Sequence, residues 1–479
     1  MTGLTETQSA FLKEAAELLG TRGLTCDPDA LSPWLTDWRG RYSGRAFALA
    51  APASTTEVAQ LVKLCARYAI PIVPQGGNSG MAGGATPGAS GTAILLSLRR
   101  MNTIRSFDAG AGQCICEAGV ILQTLHEAAE EADMRFPLTL GGKGSATIGG
   151  LVSTNAGGTQ VLRHGTMRAQ VLGIEAVLAD GSVFDGLTVL KKDNRGFDLK
   201  QLLIGSEGTL GIVTAVTLRL LPAAKARATA WVGLETITDA RALLSHVDRA
   251  IGDNLEGFEV VPDHCLDSVL DHLPDARAPL AGRHAWNALV ECVAADSDSE
   301  ALRSRLEDAL AGAMETGLLS DAVLATSETQ AESFWLLRDS ISAAERALGP
   351  AMQHDISVPV EKMPEFILAA IPEIESAFPG TRGVAFGHLG DGNVHFHILA
   401  PEGAAPGEWE DSQGKQISSR VYDLVTHWGG SISAEHGIGQ MKVEELGRLG
   451  DPVALAMMRS VKHALDPQGL LNPGKLVPS

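Results

Sequence analysis

The sequence contains no run of Lys and Arg longer than a pair, although its 479 residues include 38 basic and 57 acidic side chains. The formal net charge is −19, so nothing in the sequence indicates the basic patch that a polyanion would need. We therefore expect neither nucleic acid nor an anionic membrane surface as a partner.

Long apolar segments are missing as well. No stretch reaches the roughly 18 uncharged apolar residues of a membrane-spanning helix. The polar N-terminus as far as Leu19 is typical of an amphipathic helix and lacks the apolar core of a secretion signal. We therefore expect a protein without an integral membrane segment and with a cytoplasmic location.

Several binding motifs can also be set aside. The six cysteines form no Cys-x-x-Cys pair, and Cys114 and Cys116 alternate in a strand-like stretch, as buried thiols do. We expect neither disulfides nor a thiolate metal site. There is no G-x-G-x-x-G and no Gly-Lys pair followed by Ser or Thr, so a Rossmann dinucleotide site and a P-loop are both unsupported.

What the chain does have is apolar content and length. Its residues are 45% hydrophobic and only 20% charged, which predicts a sizeable buried core. Because 479 residues exceed what one core usually organises, we expect more than one domain. Changes in the residue pattern along the chain divide it into residues 1–222, 223–430 and 431–479. The first part has strand-like segments and glycine loops, and the second has long helical stretches such as 331–348.

Glycine is abundant and clustered. The tract at residues 74–80 lies between two apolar strand-like segments, and such a loop can wrap a pyrophosphate with its backbone N–H groups. By itself it predicts a glycine-rich turn equally well. Two further tracts, residues 141–158 and 205–211, lie in the same predicted domain. Three such loops together indicate one extended ligand.

These tracts resemble the flavin domain of the p-cresol methylhydroxylase/vanillyl-alcohol oxidase superfamily, and the resemblance extends over about residues 30–477 to the family of D-2-hydroxyglutarate and D-lactate dehydrogenases. It implies an α+β, two-domain flavoprotein fold: an FAD-binding domain at 1–222, a substrate or cap domain at 223–430, and a C-terminal segment at 431–479 that returns to the FAD domain. It also implies that FAD contacts Pro74, Gln75, Gly76, Gly77, Asn78, Ser79, Gly80, Pro137, Ser145, Thr147, Gly149, Gly150, Asn155, Gly157, Glu207, Gly208, Ile212 and Asn472. Family members that bind FAD covalently through the first loop have a His there, whereas this chain has Asn78 and Ser79, so we expect non-covalent FAD.

A second pattern is rich in histidine. Residues 384–388 and 394–398 are typical of two strands joined by Gly390-Asp-Gly-Asn393, whose Asp-Gly favours a tight turn. Alternation then places His395 and His397 on one face of the hairpin. Together with His388 and a carboxylate such as Glu435 they could meet at one metal ion, and imidazole and carboxylate ligands suit zinc or another first-row divalent ion.

The resemblance assigns roles to these residues. It implies that His388, His395 and Glu435 bind a divalent metal, that His436 is the catalytic base, and that Arg338 and Ser342 bind the substrate on one helix. Two departures from the family pattern stand near the substrate. Gln353 replaces a common Lys, and His397 stands where the human-type enzyme has Asn, so the substrate is left open.

We therefore expect an FAD- and metal-dependent enzyme that oxidises a D-2-hydroxy acid to the 2-oxo acid, with hydride passing to flavin N5 and D-2-hydroxyglutarate preferred. D-lactate or another D-2-hydroxy acid is the alternative within the family. A zinc hydrolase or a non-enzymatic flavoprotein is the alternative outside it. The resemblance implies electron-transfer flavoprotein, a quinone or a cytochrome as electron acceptor.

Overall fold

The computed structural model describes residues 4–190, 192–296 and 298–478. They form two compact units. Unit 1 takes the described residues within Met1–Gly158, Gly165–Pro222 and Glu435–Ser479, and unit 2 takes those within Thr159–His164 and Ala223–Ala434. Two details differ from the boundaries expected from the sequence: the C-terminal segment of unit 1 begins at Glu435, and a short piece of the N-terminal region belongs to unit 2.

Helices and strands occur in both units. Numbered along the chain, the helices are α1 Glu6–Gly23, α2 Pro28–Leu31, α3 Thr55–Tyr68, α4 Leu122–Glu131, α5 Ile148–Thr154, α6 Val161–His164, α7 Met167–Gln170, α8 Lys200–Leu203, α9 Ile237–Ile251, α10 Asp263–His272, α11 Ser299–Glu315, α12 Glu328–Asp339, α13 Ile341–Leu348, α14 Met363–Ala377, α15 Lys415–His427, α16 Val443–Leu449 and α17 Pro452–Leu465. Short 3₁₀ helices are found at Ser32–Trp34, Gly252–Asn254 and Val360–Lys362, and a π-helix at Glu410–Gly414.

The strands are β1 Leu24–Thr25, β2 Ala48–Ala50, β3 Ile72–Gln75, β4 Ile94–Ser97, β5 Ile104–Asp108, β6 Gln113–Glu117, β7 Met134–Arg135, β8 Val171–Val177, β9 Val183–Gly186, β10 Ile212–Arg219, β11 Leu221–Pro222, β12 Ala226–Leu234, β13 Leu255–Pro262, β14 Trp286–Ala294, β15 Asp321–Leu324, β16 Ala351–Ser357, β17 Arg382–His388 and β18 Asn393–Leu399. Unit 1 contains a four-stranded sheet in the order β1-β2-β4-β3, a five-stranded sheet in the order β5-β6-β10-β8-β9, and the pair β11-β7. Unit 2 contains one seven-stranded sheet in the order β15-β12-β14-β13-β17-β18-β16.

The elements of unit 1 follow local signals in the sequence. Helix α3 begins after Ser54, whose hydroxyl accepts the N–H of Glu57. Its apolar residues at helical spacing, such as Val58 and Leu61, are buried against the four-stranded sheet. Strand β4 is buried along its whole length, as expected for a parallel strand covered on both faces. The first glycine tract leaves this sheet between β3 and β4.

Unit 2 has an antiparallel sheet with helices packed on both faces. Phe366 of α14 packs against Phe396 on the face opposite Phe386. Helices α12 and α13 meet the strands through a cluster that comprises Phe334, Leu337, Ile341, Trp231, Leu289 and Phe386. The sequence-based expectation of one helix over residues 331–348 is wrong, because the structure has two helices with Ser340 at the break between them. Asp and Ser favour helix ends, since their side chains compete for backbone hydrogen bonds. Among the described residues, no helix is long and apolar enough to cross a membrane.

Candidate active site

The first glycine loop of unit 1 lies directly against the second. A Cβ atom on Gly77 would stand 1.7 Å from the carbonyl oxygen of Ser145, and one on Gly76 would stand 2.3 Å from the hydroxyl of Thr147. A Cβ essentially never comes so close to another heavy atom, so these positions require glycine. The loops therefore approach through backbone.

Side chains at either end fix the first loop. The amide nitrogen of Gln75 donates to the carbonyl oxygens of Trp34 and Ala85 at 3.0 and 2.9 Å, and that of Asn78 donates to Thr36 at 2.9 Å. In contrast, no backbone N–H of residues 76–80 donates to another described residue. A loop that is held at both ends, with N–H groups that have no acceptor in the described part of the chain, is suited to bind an anion such as a pyrophosphate.

A pocket opens between the three glycine tracts of unit 1. Of the residues predicted to contact FAD, those that line it are Pro74, Gln75, Gly76, Gly77, Asn78, Ser79, Gly80, Thr147, Gly149, Gly150, Glu207, Gly208 and Ile212. His436, the predicted base, lines the same pocket. The sequence did not identify the apolar part of the wall, which includes Ala82, Leu98, Ala118, Leu151 and Val213.

The other predicted FAD residues, Pro137, Ser145, Asn155, Gly157 and Asn472, are not among those that line the pocket. The side chains of two of them also hold loops in place. The side-chain oxygen of Asn155 accepts from the Thr166 hydroxyl at 3.0 Å and from the Arg168 N–H at 2.9 Å. The side-chain nitrogen of Asn472 donates to the carbonyl oxygens of Gly84 and Glu207 at 3.0 and 2.7 Å.

The pocket fits a flavin dinucleotide. Among the described residues, the buried Thr147 hydroxyl and the buried side-chain oxygen of Gln75 have no hydrogen-bond partner, and both belong to residues that line the pocket. A buried polar atom without a partner costs free energy, so a polar ligand is the natural occupant. Free backbone donors at one loop and apolar side chains elsewhere match the pyrophosphate and the ring system of FAD.

The histidine hairpin of unit 2 forms as alternation predicts. Strands β17 and β18 pair with His388 opposite Asn393 and Phe386 opposite His395. The Phe386 ring lies 5.0 Å from the His395 ring and 5.4 Å from the His397 ring, so both histidines share its face of the sheet. The rings of His388 and His395 are 5.5 Å apart.

This face of the unit 2 sheet also carries a buried ionic cluster of Glu259, Arg338 and His388, which the sequence did not predict; we call it the charged face. Glu259, on β13 opposite His388, accepts from Arg338 Nε at 2.8 Å and bonds His388 Nδ1 at 2.6 Å. Burial would raise the pKa of Glu259, but the positive Arg338 and the His388 contact outweigh it and lower the pKa to about 2. Glu259 is therefore ionised, and it pairs with Arg338 through Nε.

The two hairpin histidines fit a metal. An ionised carboxylate can only accept, so Glu259 fixes the proton of His388 on Nδ1 and places the lone pair on Nε2, which lies 3.3 Å from Arg338 Nη2. Burial, reinforced by Arg338 and His388, holds the pKa of His395 well below its usual value, which keeps this imidazole neutral. Neutral imidazoles are what a metal binds. Glu435, the third predicted ligand, belongs to unit 1.

Three predicted substrate residues lie near one another in unit 2. Gln353 is directly opposite His397 across β16 and β18. His397 Nδ1 bonds the carboxylate of Glu345 at 2.6 Å, and Ser342 lies three residues before Glu345 on α13. Sequence reasoning missed Glu345 as well as Glu259. The available signal was a glutamate within a buried strand or on the buried face of a helix, where a charge requires a partner.

Comparison with known proteins identifies the family of the chain. Residues 46–186 match the FAD binding domain family, and residues 223–476 match the C-terminal domain of FAD linked oxidases. The mitochondrial D-2-hydroxyglutarate dehydrogenase of Arabidopsis thaliana is 38% identical over 463 residues, covering 96% of this chain and 80% of the relative. That of Rattus norvegicus is 36% identical over 462 residues, covering 95% and 82%.

Among solved structures, p-cresol methylhydroxylase with substrate bound has a TM-score of 0.77 at 17% identity, covering 100% of this chain and 98% of that one. The expected α+β flavoprotein fold of the p-cresol methylhydroxylase type is thus confirmed. The expected cytoplasmic location is wrong by the same comparison, because the Arabidopsis and rat relatives are named as mitochondrial enzymes. A chain without long apolar segments is compatible with either aqueous compartment. With both of its halves matched by family models and with relatives aligned over nearly its whole length, the chain belongs to the FAD-linked oxidases, in the D-2-hydroxyglutarate dehydrogenase family.

Proposed function

We propose that this protein oxidises a D-2-hydroxy acid to the 2-oxo acid with non-covalent FAD, and that D-2-hydroxyglutarate is the preferred substrate. The observation that carries the proposal is the pocket of unit 1, where free backbone donors and His436 line one cavity in a chain of this family. Bound FAD would supply the acceptor for the hydride that leaves C2 of the substrate.

The residues of the chain divide the remaining work. His436 takes the proton of the substrate hydroxyl as general base. Arg338 would hold a substrate carboxylate through its planar guanidinium group, and Ser342, Gln353 and His397 would contact the rest of the molecule. The hydrogen bond from His397 to Glu345 orients that imidazole.

We further propose a divalent metal, for which zinc is suited, bound by His388, His395 and Glu435. Such an ion would make the hydroxyl of a bound substrate more acidic. Removal of the metal, checked by elemental analysis, should abolish turnover and leave FAD bound. Full activity in metal-free protein would contradict the assignment.

A second candidate substrate class is supported by one residue. Gln353 donates hydrogen bonds but carries no charge, so its part of the face is less suited to a second carboxylate than a Lys would be. Monocarboxylic D-2-hydroxy acids such as D-lactate should therefore also react. A zinc hydrolase would not explain the flavin pocket of unit 1. A non-enzymatic flavoprotein would not explain the charged face of unit 2.

The decisive experiment is anaerobic titration of the yellow protein. D-2-hydroxyglutarate should bleach the flavin absorbance, whereas the L enantiomer should leave it unchanged. Acid precipitation should release all the colour into the supernatant, because Asn78 and Ser79 offer no imidazole for a covalent link. Reoxidation of the bleached protein by electron-transfer flavoprotein, a quinone or a cytochrome would then identify the class of acceptor. Failure of every D-2-hydroxy acid in a panel to bleach the flavin would contradict the proposal.

A further inference from the structure

Glu207 occupies an unusual backbone position in the third glycine tract. Its φ angle of 51° lies in the left-handed region, which a non-glycine residue adopts rarely. The main chain on both sides is held: its N–H donates to Ser153 at 2.7 Å, and its carbonyl oxygen accepts from the Asn472 side chain at 2.7 Å. The strained backbone is therefore fixed, and with it the direction of the side chain.

The buried carboxylate of Glu207 accepts hydrogen bonds from the segment that follows His436, the predicted base. One oxygen accepts the N–H of Ile438 at 2.7 Å, and the other accepts the N–H of Gly439 at 2.7 Å. Hydrogen bonds from N–H groups to an ionised carboxylate are among the strong ones in proteins. These contacts fix the chain two and three residues after His436.

The shape of this segment depends on the same contact. Gly437 has a φ angle of +75°, and a Cβ there would stand 2.8 Å from the Glu207 carboxylate. Gly439 has a φ angle of +52°, and a Cβ there would stand 2.1 Å from the carbonyl oxygen of Ala82. Both positions require glycine, so the segment is pressed against the carboxylate on one side and the first glycine loop on the other.

Two buried lysines support the negative charge. Lys442 and Lys475 are 3% and 4% exposed, and both lower the pKa of Glu207. The net pKa of Glu207 is nevertheless raised, because burial is the largest cause and the N–H groups of Ile438 and Gly439, together with the lysines, oppose it only in part. A carboxylate this deeply buried is retained at a cost, which calls for a role that an uncharged residue could not fill.

We infer that Glu207 is a positioning residue for the reaction, which holds the His436 imidazole against the flavin pocket by fixing the N–H groups of Ile438 and Gly439. Glu207 also lines the pocket, so a contact with FAD alone is the competing explanation. The inference rests on the proposed role of His436 as base. A general base displaced by about 1 Å can lose roughly 10²-fold in rate, so the grip of Glu207 should be visible in catalysis.

The test is a double-mutant cycle of Glu207→Gln and His436→Ala, measured as the rate of anaerobic flavin reduction by saturating D-2-hydroxyglutarate in FAD-saturated protein. Glutamine has one acceptor oxygen and would turn an N–H donor toward a backbone N–H. Glu207→Gln should slow reduction by roughly 10–100-fold and shift the pH profile that reports the base. The dissociation constant of FAD should change by less than about threefold. In the His436→Ala background Glu207→Gln should have no further effect.

Glu175→Gln is the matched control. Glu175 is another carboxylate of unit 1 that accepts two hydrogen bonds, from the hydroxyls of Thr55 and Thr214 at 2.6 and 2.8 Å, but it does not line the pocket. Its variant should reduce FAD at the normal rate. If Glu207→Gln does not fold, Glu207→Asp keeps the charge, shortens the side chain, and should show the same pattern to a smaller degree.

The outcomes separate the inference from the proposed function. Rate effects that multiply in the double variant, or weaker FAD binding with a normal rate at saturation, would overturn the positioning role and leave the proposed function intact. If His436→Ala alone reduces FAD at the normal rate, His436 is not the base, and both the mechanism and this inference are wrong.

Discussion

The two units build their candidate sites from different materials. In unit 1 the pocket is made by backbone: glycine loops in contact with one another, with N–H groups left free. In unit 2 the face is made by ionised side chains, with Glu259 between Arg338 and His388. A backbone site depends on the absence of side-chain volume, whereas a charged site depends on every charge keeping its partner. The first should fail when volume is added and the second when charge is removed.

The largest effect is expected where a functional side chain enters the backbone-built pocket. His436→Ala should lower kcat by roughly 10²–10⁴, the usual loss for a general base, while FAD stays bound. His397→Ala, on the charged face, should act mainly on KM. Steady-state kinetics with an artificial acceptor measure both, and the exposed His463→Ala serves as control. The opposite division, with His397 limiting kcat, would mean that the two roles are exchanged.

The next largest effect is expected on the stability of the protein when a buried charge is removed from unit 2. Glu259→Gln removes the carboxylate that pairs with the buried Arg338, which should lower the free energy of unfolding by about 3–5 kcal/mol. Glu373→Gln removes an ion pair with Arg420, but these two side chains are 39% and 49% exposed. That control should change stability by less than about 1 kcal/mol. Urea denaturation measures both variants, and equal losses would refute the distinction between buried and exposed pairs.

The same contrast explains what the sequence could predict. Glycine tracts and the period-2 alternation of β18 are local signals, so the loops of unit 1 and the shared face of His395 and His397 were predictable. Both depend on residues close together in the chain. The break at Ser340 was missed because apolar spacing continues across it, and helix ends are the least predictable part of a helix.

The partners of the charged face could not be predicted in this way. Glu259 is 79 residues from Arg338 and 129 residues from His388 in sequence, and only the pairing of β13 with β17 brings them together. Likewise, the two backbone carbonyls that accept from the side-chain nitrogen of Asn472 belong to Gly84 and Glu207, which are far from it in sequence. A motif identifies which residues matter, but the fold decides what each one contacts.

Added volume should damage unit 1. Gly77→Ala places a Cβ 1.7 Å from the Ser145 carbonyl oxygen, so the two loops must separate. We expect FAD affinity to fall by about 1–3 kcal/mol, the usual cost of an overpacked contact. Gly144→Ala is the matched control, because nothing lies within 4 Å of its added Cβ and the residue does not line the pocket. Flavin fluorescence during dilution measures both. Equal affinities in the two variants would show that the loop contact does not shape the pocket.

Unit 1 also contains a buried ionisable side chain, Lys475, so the effect of a buried charge can be compared between the two units. Burial lowers the pKa of Lys475 to about 8, and Glu207 only partly opposes this. An unfolded Lys titrates near 10.4, so between about pH 8 and 10 the unfolded state binds more protons and stability rises with pH. Lys475→Met should remove about 1–3 kcal/mol of that rise. Urea midpoints at pH 8 and 10 measure it. An unchanged rise would mean that Lys475 is not the titrating group.

The smallest effect tests the charged face by adding a charge to it. A dicarboxylate brings two negative charges, and each one needs a positive or hydrogen-bonding partner once water is removed. Gln353 lies opposite His397 on this face and offers hydrogen bonds only. Gln353→Lys should therefore raise the ratio of kcat/KM for D-2-hydroxyglutarate over D-lactate by about 5–10-fold, the effect of roughly 1 kcal/mol. Gln416→Lys adds the same charge at an exposed position of α15 and should leave the ratio unchanged. If both variants give the ratio of the parent protein, Gln353 does not face the substrate. If both raise it equally, the effect belongs to the overall charge of the protein and not to this face.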